Sequence, residues 1–260
     1  MDTTPPPLAH AAATLYAAFD SDPAPIVDFL AWLVGAGGAA TAPVRALDVG
    51  CGIGRLLTPL AGRGWHVTGL EPDAEYAAYA AQRVRSVAGV EVRVGGFADV
   101  EARVGDMAPF DLVAAINGSF AYLQTQASRA DALAQCRRVL RPGGLLVLDL
   151  PNLLRILFEY GGPAVQEREV EGRAVRLERR HRIDYTRALF VTDESYVVHE
   201  AAGAPWTLRR EHAYAITTWP ELAHALTAAG FGTLRTFTSF AGRAPEPLGP
   251  GRMLIVAEAG

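Results

Sequence analysis

The chain has 260 residues, half of them hydrophobic and a fifth charged, which is enough for one large α/β domain or a domain with an insert. Its formal net charge of -4 argues against a broad phosphate-binding surface and so against nucleic acid as a partner, and all 24 basic residues are arginine. The two cysteines, Cys51 and Cys136, lie far apart and give neither a disulfide framework nor metal-ligand spacing; no apolar run is long enough to cross a bilayer and the start lacks a basic leader, so the expected location is cytoplasmic with no membrane partner.

In chain order, the proline-rich start, Thr3 to Pro7, reads as a frayed tail, followed by a helix over Leu8 to Phe19. Ser21-Asp22-Pro23 caps a second helix, Ala24 to Val34. After a loop, Val44 to Val49 is a continuous apolar run of the kind that forms a buried parallel strand. Leu56 to Ala61 is a helix, Trp65 to Leu70 a second strand, Ala74 to Val87 a helix capped by Asp73, and Val90 to Val94 a third strand. Phe110 to Ile116 is strand four. Ser128-x-x-Asp131 reads as a capping box opening a helix to Leu140, Arg141 to Gly144 as a turn, and Leu145 to Leu150 as strand five.

The rhythm then changes. Between Glu167 and Glu211 lie nine arginines and nine acids on β-like segments without helical periodicity, which predicts an antiparallel inserted lobe. Thr218-Trp219-Pro220-Glu221 is a capping box with proline in the first turn, opening a helix closed by Gly230, and Phe231 to Phe237 and Met253 to Glu258 are the last strands. The predicted organisation is an N-terminal helical segment (1–43), a core of parallel strands (44–160 and 217–260) with helices on both faces, and an inserted β lobe (161–216) for acceptor binding.

The chemistry starts at Asp48-Val49-Gly50-Cys51-Gly52-Ile53-Gly54-Arg55. A strand, a turn with glycine at alternate positions and a helix make a nucleotide-type cofactor site, because glycine lets the backbone turn sharply and approach a ligand. A dinucleotide fingerprint needs glycine or alanine at the sixth position from Gly50, where this chain has Arg55. Asp48 would repel a pyrophosphate and suits a cationic ligand. Glu71, 21 positions beyond Gly50 at the end of strand two, is placed to accept hydrogen bonds from ribose hydroxyls.

Leu47 to Gly54, Gly69-Leu70-Glu71-Pro72, Phe110 to Val113 and Leu140 to Gly144 resemble, in order and spacing, the motifs of the class I S-adenosylmethionine-dependent methyltransferases. The resemblance implies a Rossmann-like seven-stranded, mostly parallel sheet whose last strand is antiparallel. It implies S-adenosyl-L-methionine as cofactor, lying across the carboxyl ends of strands one, two and four. Asp48, Gly50, Cys51, Gly52, Glu71, Pro72 and Asn117 are then cofactor neighbours. The family often carries an acid after strand three that contacts the adenine; here Gly96 holds that place, Asp99 comes three residues late, and Phe97 and Ala98 are expected beside the base.

No Pro-Pro-aromatic sequence follows Asn117, which removes the usual mark of methylation of nucleic-acid bases. Metal-dependent members keep a carboxylate at the end of strand four; Asn117 stands there and Asp149 alone makes a poor metal site, so no metal is expected. Base candidates are His181, His199 and His212, and His212 leads because it alternates with Arg210 and Tyr214 on one strand face. Tyr16, on an N-terminal segment which in similar enzymes folds over the cofactor, is a further candidate, and Tyr214 is expected to face the transferred methyl. The expected reaction is methyl transfer to nitrogen, with oxygen second, of a small-molecule acceptor. The rivals are a dinucleotide oxidoreductase and a protein that keeps the cofactor without methylating. The oligomeric state stays open between monomer and homodimer.

Overall fold

The computed structural model describes residues 8, 10–36, 43–152, 154–155, 164–201 and 203–260. The proline-rich start and most of the loop before the first strand lie outside these residues. The core is a seven-stranded sheet of β1 (Arg45–Val49), β2 (His66–Glu71), β3 (Val90–Val94), β4 (Phe110–Ala115), β5 (Leu140–Leu150), β10 (Phe231–Phe237) and β11 (Met253–Ala259). Its spatial order is β10-β11-β5-β4-β1-β2-β3. Strands β1 to β5 pair in parallel, and β11 alone runs against its neighbours β5 and β10.

Alternate residues of these strands feed two cores. Leu47, Val49, Val113 and Leu146 pack on one face with α5 (Val100–Val104), α6 (Gln126–Val139) and α7 (Trp219–Ala228). Ala46, Val67, Leu112 and Val147 pack on the other with α2 (Ala24–Ala36) and α3 (Leu57–Ala61). Burial on both faces explains why the parallel strands read as unbroken apolar runs.

The inserted segment forms a separate four-stranded antiparallel sheet, β6 (Ala164–Val170), β7 (Arg173–Asp184), β8 (Leu189–His199) and β9 (Trp206–Ala215), in chain order. One face of it, with Val175, Leu177, Tyr196 and Val198, packs on Leu8 and on Leu15 of α1 (Ala11–Ala18), helped by Trp206 and Leu208. Helix α1 also reaches the core: Ala13 packs on Ile53 of the glycine turn and on Tyr76 of α4 (Ala74–Val84). The Glu75 carboxylate accepts the Ala12 and Ala13 N–H groups at the start of α1, at 2.9 and 3.4 Å. No helix among the described residues is long and apolar enough to cross a membrane.

Three expectations need correction. The helix before β5 starts at Gln126, not after Ser128. Thr125 is extended and accepts the Ser128 N–H on Oγ1 at 3.0 Å, so Ser128 is the third helical residue and not the cap. Residues 141–144 are not a turn before strand five but an excursion inside it: Phe110 pairs with Leu140 and Leu112 with Leu145, so the extra residues bulge out of the ladder. The first helix begins at Ala11, because His10 takes a left-handed conformation with φ 50° that ends helical hydrogen bonding on its N-terminal side. The Asp73 cap stands, with Oδ1 accepting the N–H groups of Glu75 and Tyr76.

Candidate active site

The strand order reverses between β4 and β1, which opens a crevice at the carboxyl ends of the sheet. There Gly50, Gly52 and Gly54 have φ of +74°, +56° and +73°. Gly50 is constrained twice, since a Cβ there would also lie 2.6 Å from the Ser119 Cβ. The N–H groups of Gly50 and Cys51 both donate to the Leu70 carbonyl, at 2.7 and 3.2 Å, and brace the turn on β2. The Cys51 thiol is turned inward over Gly69, and burial first, then the Asp48 and Glu71 charges, raise its pKa. Gly52 is different: nothing lies within 4 Å of where its Cβ would be, so its backbone is bare toward the crevice.

The Gly52 N–H donates to Glu71 Oε2 at 2.8 Å, and the Asp73 N–H donates to Glu71 Oε1 at 3.0 Å. Each oxygen keeps a further acceptor site, so Glu71 can still receive two hydroxyl hydrogens. Burial raises the Glu71 pKa against the pull of those two N–H groups. Asp48 is 4% exposed and no described residue hydrogen-bonds its carboxyl group. Burial, opposed by the Arg55 charge and reinforced by Glu71, pushes its pKa up to about 7. Two buried acids at one turn, with bare glycine backbone between them, fit a ligand carrying positive charge and paired hydroxyls. S-adenosylmethionine has both.

Arg55, the residue that breaks the dinucleotide pattern, has a structural use. Its guanidinium pairs with Asp20 at 3.0 Å and with Ser21 Oγ at 3.0 Å, tying the end of the N-terminal segment to the turn. Pro72 is exposed and adjoins Gly96, where a Cβ would sit 3.5 Å from the proline ring. The Phe97 ring is 8% exposed and packs edge-on against Phe120, so the group it presents to a base is its backbone rather than its ring. Ala98 is exposed. Asp99 bonds back to the Gly96 N–H at 3.2 Å as a local cap.

Beyond β4, Asn117 takes φ 60° and its N–H donates to Asp149 Oδ2 at 2.8 Å. Asp149 is fully buried and forked by Arg252, with Nε to Oδ1 at 2.7 Å and Nη2 to Oδ2 at 2.6 Å. Among the described residues no three or more His, Cys, Asp or Glu side chains converge as metal ligands. The Asn117 amide donates to Tyr16 Oη at 3.3 Å, and the Tyr16 ring stands edge-on to Tyr76 at 5.7 Å. Burial, then the Asp20 charge, raises the Tyr16 pKa. The end of β4 and the N-terminal helix therefore meet at the crevice.

The lobe closes the same space from the other side. Arg210 on β9 donates to Asp73 Oδ2 at 3.2 Å and lies over the Tyr76 ring at 4.7 Å. His212 and Tyr214, the next residues on that face, both reach Tyr122, with His212 Nδ1 at 2.7 Å and Tyr214 Oη at 3.2 Å from Tyr122 Oη. The second ring nitrogen of His212 lies 3.4 Å from Glu194 Oε2. Both His212 nitrogens are thus engaged within the protein. His181 bonds Thr192 and stacks on Phe190 one register step away, and His199 is exposed at the far end of β8. Tyr122, Glu194 and Arg179 escaped the sequence reading. Glu194 had a signal: it shares the parity of Tyr196 and Val198, an acid on the apolar face of a strand.

The fold is that of the class I S-adenosylmethionine-dependent methyltransferases. The methyltransferase domain family matches residues 46–144, which are therefore a methyltransferase domain. The chain is 25% identical over 208 residues to a putative methyltransferase of Geobacillus sp. (strain WCH70), covering 78% of this chain and 79% of that one. Another curated relative is 36% identical over 120 residues, and the match spans only 32% of its length. In structure, the chain superposes with a TM-score of 0.75 on a S-adenosylmethionine-dependent methyltransferase from Clostridium acetobutylicum, at 16% identity and 97% coverage of both chains. It superposes with a TM-score of 0.77 on the sugar N-methyltransferase KedS8 from Streptoalloteichus, at 23% identity, covering 100% of this chain and 96% of that one.

Proposed function

We propose that this protein transfers the methyl group of S-adenosylmethionine to a nitrogen of a small-molecule acceptor, without a metal. When bound, the cofactor supplies a methyl group already activated by its sulfonium. The chain's own task is to hold the acceptor close, exclude water and keep the accepting atom deprotonated. Asp48, Gly52 and Glu71 hold the cofactor, with Gly50 and Cys51 shaping the turn and Pro72, Phe97, Ala98 and Asn117 around it. Tyr16, Tyr214 and His212 belong to the acceptor side.

The observation that carries this reading is the meeting of lobe and core at Tyr122. The lobe brings His212 and Tyr214 to Tyr122 in the loop after β4, the loop that begins at the Tyr16–Asn117 pair. Tyr16, Tyr122 and Tyr214 bring phenolic groups to this meeting point, chemistry suited to an amine and its cationic methylated product. KedS8, a sugar N-methyltransferase, shares the architecture over its whole length, which supports nitrogen by analogy of fold. A hydroxyl acceptor is the second reading, favoured by the Glu194–His212–Tyr122 chain, since an alcohol needs a base.

The test is incubation with methyl-labelled S-adenosylmethionine and a panel of amino sugars, amino alcohols and aromatic amines, with matched alcohols as the second arm. Label in an amine product and release of S-adenosylhomocysteine are expected, unchanged by EDTA. Transfer only to alcohols would move the acceptor to oxygen. Tight binding of the cofactor with no transfer to any arm would favour a protein that retains it without methylating. Loss of transfer in EDTA, restored by magnesium, would overturn metal independence and return Asp149 to consideration.

A further inference from the structure

Glu194 sits where a strand carrying apolar residues at that parity would be expected to hold another one. Its side chain is 7% exposed. Oε1 accepts Arg179 Nε at 2.6 Å, Oε2 accepts the Tyr196 hydroxyl at 2.9 Å, and His212 Nε2 lies 3.4 Å from Oε2. Burial alone would raise its pKa, but the bonds from His212, Arg179 and Tyr196 and the Arg179 charge outweigh it and hold the pKa down at about 2. Glu194 is therefore ionised at neutral pH and has no hydrogen to donate.

That decides the imidazole. The charge of that carboxylate, 3.4 Å from His212 Nε2, favours the hydrogen on Nε2. In the neutral ring Nδ1 is then bare and only accepts, and the group 2.7 Å from it is the Tyr122 hydroxyl, which must donate. The line Tyr122 to His212 to Glu194 has one direction, running from the crevice into the lobe. Tyr122 itself is 44% exposed, whereas the His212 side chain is 14% exposed. Burial and the neighbouring Tyr214 raise the Tyr122 pKa, so it passes a proton on and does not rest as a phenolate.

We propose that Glu194 is a positioning residue that fixes His212 as the acceptor of the Tyr122 hydroxyl proton, and that Tyr122, not His212, is the group that takes the proton from the methyl acceptor. The proposal rests on the methyl-transfer reading. As the acceptor's proton moves to Tyr122 Oη, Tyr122's own proton moves to His212 Nδ1. The electron pair of the broken bond stays on the acceptor atom, and the imidazolium so formed lies against the Glu194 carboxylate. The proton later returns to water by the reverse path. No oxidant, metal or further reactant is needed.

The decisive measurement needs no acceptor. Long-range proton–nitrogen NMR on the whole protein labelled at histidine nitrogen, with His212→Asn assigning the signals, is expected to show His212 protonated at Nε2 alone. In Glu194→Gln the amide oxygen faces Arg179, and its NH2 group then faces His212. That variant is expected to move the hydrogen to Nδ1. Glu194→Asp keeps the charge and should keep Nε2–H, as should Tyr122→Phe. With the panel amine turned over fastest, Glu194→Gln and Tyr122→Phe should each lower kcat at least tenfold with KM for S-adenosylmethionine unchanged, and Glu194→Asp should recover part of the rate. An Nδ1–H tautomer in the wild type, or Glu194→Gln with wild-type tautomer and kcat, would overturn the proposal. Should Glu194→Gln not fold by thermal melt, the wild-type tautomer and the Tyr122→Phe rate decide in the same way. Failure of the wild type to bind S-adenosylhomocysteine or to methylate any amine or alcohol would instead sink the methyl-transfer reading, while the tautomer still tests the role of Glu194.

Discussion

The glycine turn of the core and the inner face of the lobe both present polar groups to one crevice, but they are built differently. In the core these are backbone groups and carboxylates from two short stretches, Asp48 to Gly54 and Glu71 to Asp73, held by left-handed φ values and by hydrogen bonds between the stretches. In the lobe they are side chains contributed by three neighbouring strands: Glu194 of β8 faces Arg179 across β7 and Arg210 across β9, with His212 one step along. The core half is local and made by chain direction. The lobe half depends on cross-strand register, where a slip of one residue would turn every one of these side chains to the other face.

Gly50→Val should break the core half most severely. It forces a branched residue to φ +74° and drives its Cβ to 2.6 Å from the Ser119 Cβ. A loss of about 2–5 kcal/mol of folding stability is expected, with no calorimetric binding of S-adenosylhomocysteine. Ser119→Gly in the same chain should recover only the steric part, because the backbone strain remains. Full recovery would show that φ was never the constraint.

Glu71→Ala should cost about 2–4 kcal/mol in S-adenosylhomocysteine binding, through loss of charged acceptors for hydroxyls. An unchanged dissociation constant in a folded variant would remove Glu71 from the site.

Asp48→Asn tests a different property of the core, its pH response. The Asp48 pKa is raised from 3.8 to about 7, so its contribution to stability is fully present below 3.8 and is lost as pH rises through 7. Asp48→Asn does not titrate. Its stability relative to wild type should climb between pH 4 and 7 and level off above, by on the order of 1–3 kcal/mol in urea unfolding at pH 8. The same variant should bind S-adenosylmethionine more weakly, since the cation loses its carboxylate. A pH-independent difference would mean that Asp48 is not the buried titrating acid.

Lobe variants should leave cofactor affinity nearly alone. His212→Ala is expected to lower kcat about tenfold, roughly 1.4 kcal/mol, at wild-type S-adenosylhomocysteine affinity. A loss confined to cofactor binding would erase the division of labour between the two halves. The smallest effect belongs to Arg210→Ala, which removes the one described ion pair from the lobe to the cofactor-side loop. With side chains 25% and 37% exposed, the Arg210–Asp73 pair is worth about 1 kcal/mol or less, so S-adenosylhomocysteine affinity should fall no more than about fivefold.

The parallel core was legible because its signals are contiguous. An apolar run, three alternate glycines and an acid after the next strand lie within a few residues of one another, and steric limits on φ leave little else for them to do. The Thr218–Glu221 capping box was legible for the same reason, with Thr218 N–H and Oγ1 both bonded to Glu221 Oε2 as its spacing implies. Capping failed at Thr125 and Ser128 because two good caps lie three residues apart, and only the extended backbone at Thr125 shows which one ends the loop.

The lobe's face parity was also readable: Arg210, His212 and Tyr214 share a face, as their alternation demands. Their partners were not. Tyr122 comes from the loop after β4, 90 residues from His212, and Glu194 lies on the neighbouring strand at an offset that only register defines. Sequence alone determined that the chain builds a glycine turn flanked by Asp48 and Glu71, since neighbouring residues constrain each other through covalent geometry. The tertiary structure decided which side chains meet His212 and Tyr214 and which nitrogen of His212 lies against Tyr122, because those depend on packing between segments whose mutual distance the covalent chain leaves free.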